Sequence, residues 1–413
     1  VRVVVIGSGV AGTAAAWVAA REGGAQVTLV SRESGASALA TGALDFEPGG
    51  SREVGALDAR VSEVLGALAA YEVPTAQGVL VATTAGLIRR ARGRDAALLD
   101  LGDLGAKPVG VVCARRPGWD ADALARSWTG QHGVETVPID ATILRYTDEH
   151  VLPDADFAAR HDEDARLAWL ADRLREALSR HGARLGGLLL PPALGVELAR
   201  AQALSAHVGL RCGEASGLPG GPAGLRFLHA RDRALSACGV VRMAGRAVSV
   251  ERGDDTWMVT LAEGQPLEAD AVVLATGGLI GGGVEYTPSE WLPGAELPLA
   301  ARVPFQFSVR VDTLRVGARG HPLELPGSLF GLPPESLAWP FAADALMDRV
   351  GALADAEGRA GEGLFVAGEL AADVPHAWLS AMASGARAGA AAALARLLIG
   401  RPASPDAAPP SPL

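Results

Sequence analysis

The chain has 413 residues, with 37 lysine plus arginine against 47 aspartate plus glutamate and a formal charge of −10. At roughly 150 residues per domain the length fits two to three domains, and 49% apolar with 20% charged residues excludes global disorder. The acidic balance argues against nucleic acid as the main partner, and the 52 glycines lack the three-residue period of collagen.

In chain order, residues 1–6 form a β-branched run that reads as a strand, with no signal peptide expected ahead of it. A glycine-rich turn and an alanine-rich helix over 13–22 follow, then Gly23-Gly24 and a second strand over 27–30. This is a βαβ unit. A long Gly/Ser/Ala loop spans 34–42. The middle repeats the α/β pattern, with strands over 109–113, 134–139 and 188–190. Helices are expected over 120–132, 162–179 and 193–208. In the second of these, Leu167, Leu170, Leu174 and Leu178 recur at helical spacing. A helix over 224–236 leads to a β-meander of strands over 240–243, 247–251 and 257–261, with Gly253-Asp254-Asp255 at a hairpin. An apolar strand over 271–275 runs into Thr276-Gly277-Gly278, and a last strand over 364–367 precedes a helix over 380–398. Residues 286–349 read as irregular and proline-rich, and 401–413 as a disordered tail.

The fold expected is α/β, with a Rossmann-like FAD-binding domain (a β-sheet with a β-meander), an inserted α/β domain and a cap segment. The FAD-binding domain falls in three parts, 1–107, 218–285 and 351–400. Residues 108–217 form the insertion and 286–350 the cap or subunit-contact segment. Cys113, Cys212 and Cys238 are too far apart in sequence for a C-x-x-C motif, so no disulfide framework, zinc site or iron–sulfur ligand set is expected. A reducing, cytoplasmic setting is the simplest reading. No apolar run reaches the ~18 residues of a membrane span.

Gly7-Ser8-Gly9-Val10-Ala11-Gly12 lies between a strand and a helix, the context of a dinucleotide fingerprint. Gly7 allows the tight turn, Gly9 lets the backbone approach a pyrophosphate, and Gly12 lets helix pack on strand. The helix N-terminus offers N–H donors and a partial positive charge to phosphates. The acidic residue that usually ends the second strand is missing: Val30 is followed by Ser31 and Arg32, with Glu33 two positions late. Backbone groups are therefore expected to hold much of the adenosine end.

Two later motifs point to a flavin. Ala275-Thr276-Gly277-Gly278 resembles the A-T-G element of two-dinucleotide-binding-domain flavoproteins. The segment over 363–369, ending in Gly368-Glu369, resembles their last motif beside the ribityl chain. In those proteins the helix that follows directs its N-terminus at the flavin pyrimidine and stabilises negative charge there.

A narrower resemblance rests on two segments. Ser37-Ala38-Leu39-Ala40-Thr41-Gly42-Ala43-Leu44-Asp45 is similar to the S-A-L-x-x-S-G-S-L-D segment of the B subunit of anaerobic glycerol-3-phosphate dehydrogenase. Leu274-Ala275-Thr276-Gly277-Gly278-Leu279-Ile280-Gly281-Gly282-Gly283 is similar to that family's A-S-G-x-F-x-S-G-G element. The resemblance implies a flavin-bearing subunit of a hetero-oligomer that oxidises sn-glycerol 3-phosphate to dihydroxyacetone phosphate and passes electrons toward quinone. It implies a separate dehydrogenase subunit and an iron–sulfur subunit carrying the membrane contact. The location is then cytoplasmic, or peripheral at the inner face of the cell membrane through those partners. The family subunit is described with FMN, whereas the pyrophosphate-binding turn here favours FAD; FMN stays an alternative. Where the family has a glycine-rich run near its end, this chain has Ala371-Ala372-Asp373-Val374-Pro375-His376-Ala377-Trp378.

Ser37 and Thr41 are candidates to contact the flavin, and the same loop holds no histidine for covalent attachment, so the flavin is expected to be non-covalent. Trp17 reads as core. Arg302, Arg310, Arg315, Arg319 and His321 cluster in the irregular segment and suit a phosphate or carboxylate. His376 is a candidate proton shuttle, with Arg302 and His321 beside it as catalytic candidates. No metal site is expected. Two alternatives stand beside the subunit reading: a stand-alone FAD oxidoreductase of the fumarate-reductase-like group acting on a carboxylate, and a cofactor-free assembly subunit with a degenerate flavoprotein fold.

Overall fold

The computed structural model describes residues 1–32, 34–46, 57–74, 78–180, 184–277, 285–288, 305–308, 315–316, 359–368 and 377–395. The chain divides into two compact units. The first is Val1–Glu33 with Cys238–His376 and Ser380–Leu413, and the second is Ser34–Ala237 with Ala377–Leu379.

The first unit is built on a six-stranded sheet in the order Val241–Ala244, Gln26–Ser31, Arg2–Ile6, Ala271–Leu274, Leu364–Val366, Arg359–Gly361. The first five strands run parallel and the last is antiparallel. Val3 to Ile6 and Ala271 to Leu274 are all buried, as unbroken apolar runs in the middle of a parallel sheet should be. The helix Val10–Glu22 is buried along its whole first ten residues and is apolar on all sides. Glycines on the last helix, Trp378–Ala393, explain how such a helix is covered: a Cβ on Gly385 would lie 2.0 Å from the carbonyl oxygen of Ala11, and one on Gly389 2.2 Å from that of Ala15. Backbone meets backbone there because both faces are stripped to glycine and alanine. The antiparallel meander Ala247–Arg252, Trp257–Leu261, Leu267–Ala269 forms a second sheet, joined by Arg315–Val316.

The second unit holds a four-stranded parallel sheet in the order Arg211–Glu214, Gly187–Leu190, Val109–Cys113, Thr136–Asp140. Its core gathers Trp128, Ile139, Phe157, Leu167, Leu170, Leu174 and Leu188 to Leu190. The leucine stripe of Asp164–Ser179 enters that core, each fully buried leucine contributing about 1.5–3 kcal/mol of transfer free energy. An antiparallel sheet pairs Ile88–Asp95 with Ala43–Phe46, Tyr71–Glu72 and Val79–Ala82.

Three expectations need correction. The strand expected over 240–243 does not belong to the meander: Val241–Ala244 pairs in parallel with Gln26–Ser31 at the edge of the large sheet. The Gly245 N–H then donates to the Ser31 carbonyl at 3.0 Å, so the chain leaves that edge before the meander begins. The helix expected over 193–208 is confined to Ala201–Val208. The N–H groups ahead of it are taken by carboxylates: Ala193 and Leu194 donate to Glu214, and Val196 and Glu197 to Asp162, which leaves them no helical bonding. The inserted unit is also wider than 108–217, running from Ser34 to Ala237. The small antiparallel sheet belongs with it because Thr83 bridges to Ser216 and Leu98 to Glu214.

Candidate cofactor site

Strand order reverses at Arg2–Ile6, which has Gln26–Ser31 on one side and Ala271–Leu274 on the other. A crevice at the carboxyl ends of such strands is where open α/β sheets bind ligands. The residues at those ends are Gly7, Ser31, Ala275 with Thr276, and Ala367 with Gly368.

The turn after the first strand is tied on both sides. The Gly7 N–H donates to the Val30 carbonyl at 2.8 Å, and the Ala275 N–H to the Ile6 carbonyl at 2.8 Å. Gly7 sits at φ +110, and a Cβ on it would lie 2.1 Å from the Ala275 carbonyl oxygen. A Cβ on Gly12 would lie 1.9 Å from the Gly7 carbonyl oxygen. Neither position admits any other residue without moving the backbone. Gly9 precedes the helix in an extended conformation with no side-chain cap. The hydroxyl and N–H of Thr13 both donate to the Gly9 carbonyl at 2.9 Å. Gly9 supplies no capping side chain and the first turn holds no acidic residue, so the positive end of the helix dipole suits an anion. Val10 and Ala11 form that first turn, and Ser8 is buried beneath it.

Across the sheet, the Thr276 hydroxyl is buried and has no hydrogen-bond partner. A buried donor without an acceptor is costly, so this orphan fits a group that is held against the strand end. Gly277 follows at φ +83, where only glycine is unstrained. Gly368, at φ +72, donates its N–H to the Ser384 hydroxyl at 3.2 Å, and a Cβ on it would meet the Ala11 methyl at 2.9 Å. The described residues of the three motifs all lie in the first unit. Ser384, Gly385 and Gly389 escaped the sequence reading; the one visible signal was two glycines four apart in an alanine-rich helix.

Ser31 is half-buried at the end of its strand and Arg32 is exposed. Ser37, Thr41 and Gly42 belong to the second unit. There the Thr41 carbonyl accepts from the Ser216 hydroxyl at 3.0 Å. Gly42 sits at φ +95 and is wedged against Leu98, Ala223 and Asp95, so packing within the unit already requires glycine there. Asp45, at φ +51, ends that segment and accepts from the N–H groups of Trp378 and Leu379. Trp17 is buried, with the Arg21 guanidinium 5.8 Å from its ring. Gly278, Glu369, His376, Arg302, Arg310, Arg319 and His321 lie outside the described residues. Arg315 pairs into the meander sheet through its backbone.

The second unit also buries a charged triad. The Arg226 guanidinium donates to Asp95 and Glu214, each at 2.8 Å, and to the Gly195 carbonyl. Asp95 in turn accepts from the Ala97 N–H at 2.8 Å. Every group is paired, so the triad reads as structural cross-linking between strand ends and the helix Pro222–Ala237. His161 is fully buried; burial foremost, then Arg166, pushes its imidazole down to about 3, so it is neutral at ordinary pH. Among the described residues no group of three or more metal-ligating side chains converges, and no helix is long and apolar enough to cross a membrane.

Residues 2–204 match the FAD binding domain family, and residues 225–279 match the FAD-NAD(P)-binding family. No curated protein matches the chain. Among solved structures, an aromatic hydroxylase from angucycline biosynthesis is 13% identical at a TM-score of 0.34, with 97% of this chain and 63% of that one covered. Glycine oxidase from Geobacillus kaustophilus is 14% identical at a TM-score of 0.23, over 66% of this chain and 54% of that one. Iminodiacetate oxidase from Chelativorans sp. BNC1 is 15% identical at a TM-score of 0.30, over 97% and 96%. The chain spans less than two thirds of the length of the first two. The family matches and the glycine cradle agree that FAD is the cofactor of this chain.

Proposed function

We propose that this chain is the flavin-bearing subunit of a dehydrogenase complex that oxidises sn-glycerol 3-phosphate to dihydroxyacetone phosphate and passes the electrons toward quinone. It works beside a dehydrogenase subunit and an iron–sulfur subunit, which bring it to the membrane surface. One observation supports this reading above the others. The end of the segment over 37–45, which carries the resemblance, is held in place: Gly42 is wedged at φ +95, Leu44 is buried, and Asp45 at φ +51 takes the backbone N–H groups of Trp378 and Leu379. A loop of arbitrary sequence has no reason to keep Gly-x-Leu-Asp in that register.

Bound FAD supplies two-electron oxidation and single-electron transfer onward. The first unit contributes binding and orientation. Gly7 and Gly12 would let the backbone close around the pyrophosphate, and the positive end of the first helix would meet its charge. Thr276 would offer its hydroxyl to the bound cofactor. No proton-transferring residue is assigned.

The test is anaerobic addition of sn-glycerol 3-phosphate to the FAD-loaded chain co-expressed with its partners. Bleaching of the visible flavin band, with an iron–sulfur protein co-purifying, is the expected result. Reduction by a carboxylate donor in a chain that purifies alone, with no response to glycerol 3-phosphate, refutes the reading.

A further inference from the structure

One helix, Trp378–Ala393, braces two of the three cofactor motifs. Gly385 and Gly389 set its backbone against the Ala11 and Ala15 carbonyl oxygens of the dinucleotide helix. One residue before Gly385, the Ser384 hydroxyl accepts the Gly368 N–H at 3.2 Å. Ser384 is only 4% exposed, so water does not compete for that bond. Gly368 is itself buried and left-handed, and it packs so closely that a Cβ on it would meet the Ala11 methyl at 2.9 Å. The turn after Leu364–Val366 is thus tied to Ser384 and rests on Ala11, the second residue of the dinucleotide helix.

Its place on the sheet determines which part of the cofactor this turn can serve. The carboxyl ends of the strands run in the order Ser31, Gly7, Ala275 with Thr276, then Ala367 with Gly368. A dinucleotide with its pyrophosphate at the turn after Arg2–Ile6 and its adenosine ribose at the end of the second strand would carry its other half toward Thr276 and Gly368. The pyrophosphate turn does not need Ser384: the close contacts of Gly7 and Gly12 are with Ala275, Thr276 and each other. Ser384 acts on Gly368 instead, and among the described residues it is the acceptor of that buried N–H.

We infer that Ser384 is a positioning residue for the flavin half of FAD: its hydroxyl sets the Gly368 turn against the start of the dinucleotide helix, so that the last motif and the pyrophosphate turn meet one bound FAD in register. Without that hydroxyl the Gly368 N–H becomes a buried donor with no acceptor, and the turn shifts to find one. The pyrophosphate turn stays as it is. The inference rests on FAD as the cofactor and not on the glycerol-phosphate reading.

The experiment is calorimetric titration of the deflavinated full chain with FAD and with ADP, which carries the adenosine and the pyrophosphate but no flavin. Ser384→Ala is expected to weaken FAD roughly tenfold and to leave ADP within about twofold of the parent. Ser384→Cys keeps the size and offers only a weak acceptor, so it is expected to weaken FAD about threefold, again with ADP unchanged. Retained ADP binding shows that a variant folds, and the cysteine variant decides the matter if the alanine variant does not. A merely structural role would move both ligands together or neither. Equal weakening of FAD and ADP, or an unchanged FAD affinity in Ser384→Ala (in Ser384→Cys if the alanine variant does not fold), overturns the role. Because the readout is binding without turnover, its failure leaves the proposed dehydrogenase activity untouched, and failure of that activity leaves the role of Ser384 standing.

Discussion

Gly385→Ala separates two forces that act in opposite directions. In the interior of the helix Trp378–Ala393, alanine is favoured over glycine by about 1 kcal/mol. The tertiary structure opposes it: the new Cβ would lie 2.0 Å from the Ala11 carbonyl oxygen and 2.7 Å from its carbon. An ordinary contact needs upward of 3.4 Å, so one helix must retreat by more than 1 Å along a backbone-to-backbone interface. That retreat also opens the neighbouring approach of Gly389 to Ala15. Overpacking of this kind costs typically 1–3 kcal/mol, and more when the obstacle is backbone, so the clash outweighs the propensity gain and the net loss is about 2 kcal/mol. For a unit of this size the unfolding midpoint then falls by roughly 4–8 °C. Gly66→Ala is the control: Gly66 also lies inside a helix, Ala59–Leu68, but a Cβ there meets nothing within 4 Å. It is expected to stabilise by about 0.5–1 kcal/mol. Thermal unfolding of both variants, with FAD content measured alongside, decides the matter. A Gly385→Ala protein as stable as its parent, or shifted upward like Gly66→Ala, refutes the packing argument.

Other perturbations probe other parts of the molecule. Arg226→Met leaves Asp95 and Glu214 buried without their cation and is expected to destabilise by about 3–5 kcal/mol in urea unfolding; a loss below 1 kcal/mol contradicts the cross-linking role. Thr276→Val removes the orphan hydroxyl, so the cofactor-free protein should unfold no more easily than its parent while FAD dissociates roughly tenfold more readily; an unchanged FAD affinity argues against the contact. Burial is the main force that raises the Asp45 carboxyl above its ordinary value, opposed by the N–H groups of Leu379 and Trp378. A raised carboxyl binds its proton more tightly folded than unfolded, so the stability it contributes is full below the ordinary carboxylate range and declines as pH rises through the folded value. The stability of the parent relative to Asp45→Asn should therefore fall as pH increases across that window; a difference that rises with pH contradicts the shift.

Much of the first unit was legible because its signals are local. A β-branched run, three glycines at fixed spacing and an alanine-rich helix need no distant residue to be read, and the structure gives each glycine a steric reason. The later strands over 271–274 and 364–366 were legible as unbroken apolar runs, which only a sheet covered on both faces tolerates. The edge strand Val241–Ala244 was misassigned because alternation and half-exposure look alike in a meander and at a sheet edge. The helix expected from 193 was cut short by Glu214 and Asp162, whose carboxylates claim its first N–H groups from outside any sequence window.

The amino-acid sequence by itself determined the dinucleotide turn, the parallel sheets and the cofactor class, because hydrophobic period and glycine position are written within a few residues of one another. Only the tertiary structure decided what those pieces meet. Asp45 takes the backbone of Trp378, Asp95 takes Arg226, and Gly385 takes Ala11. These pairings join residues far apart in the chain, and each depends on buried charge or sub-van-der-Waals clearance. Neither quantity exists until the chain has closed on itself.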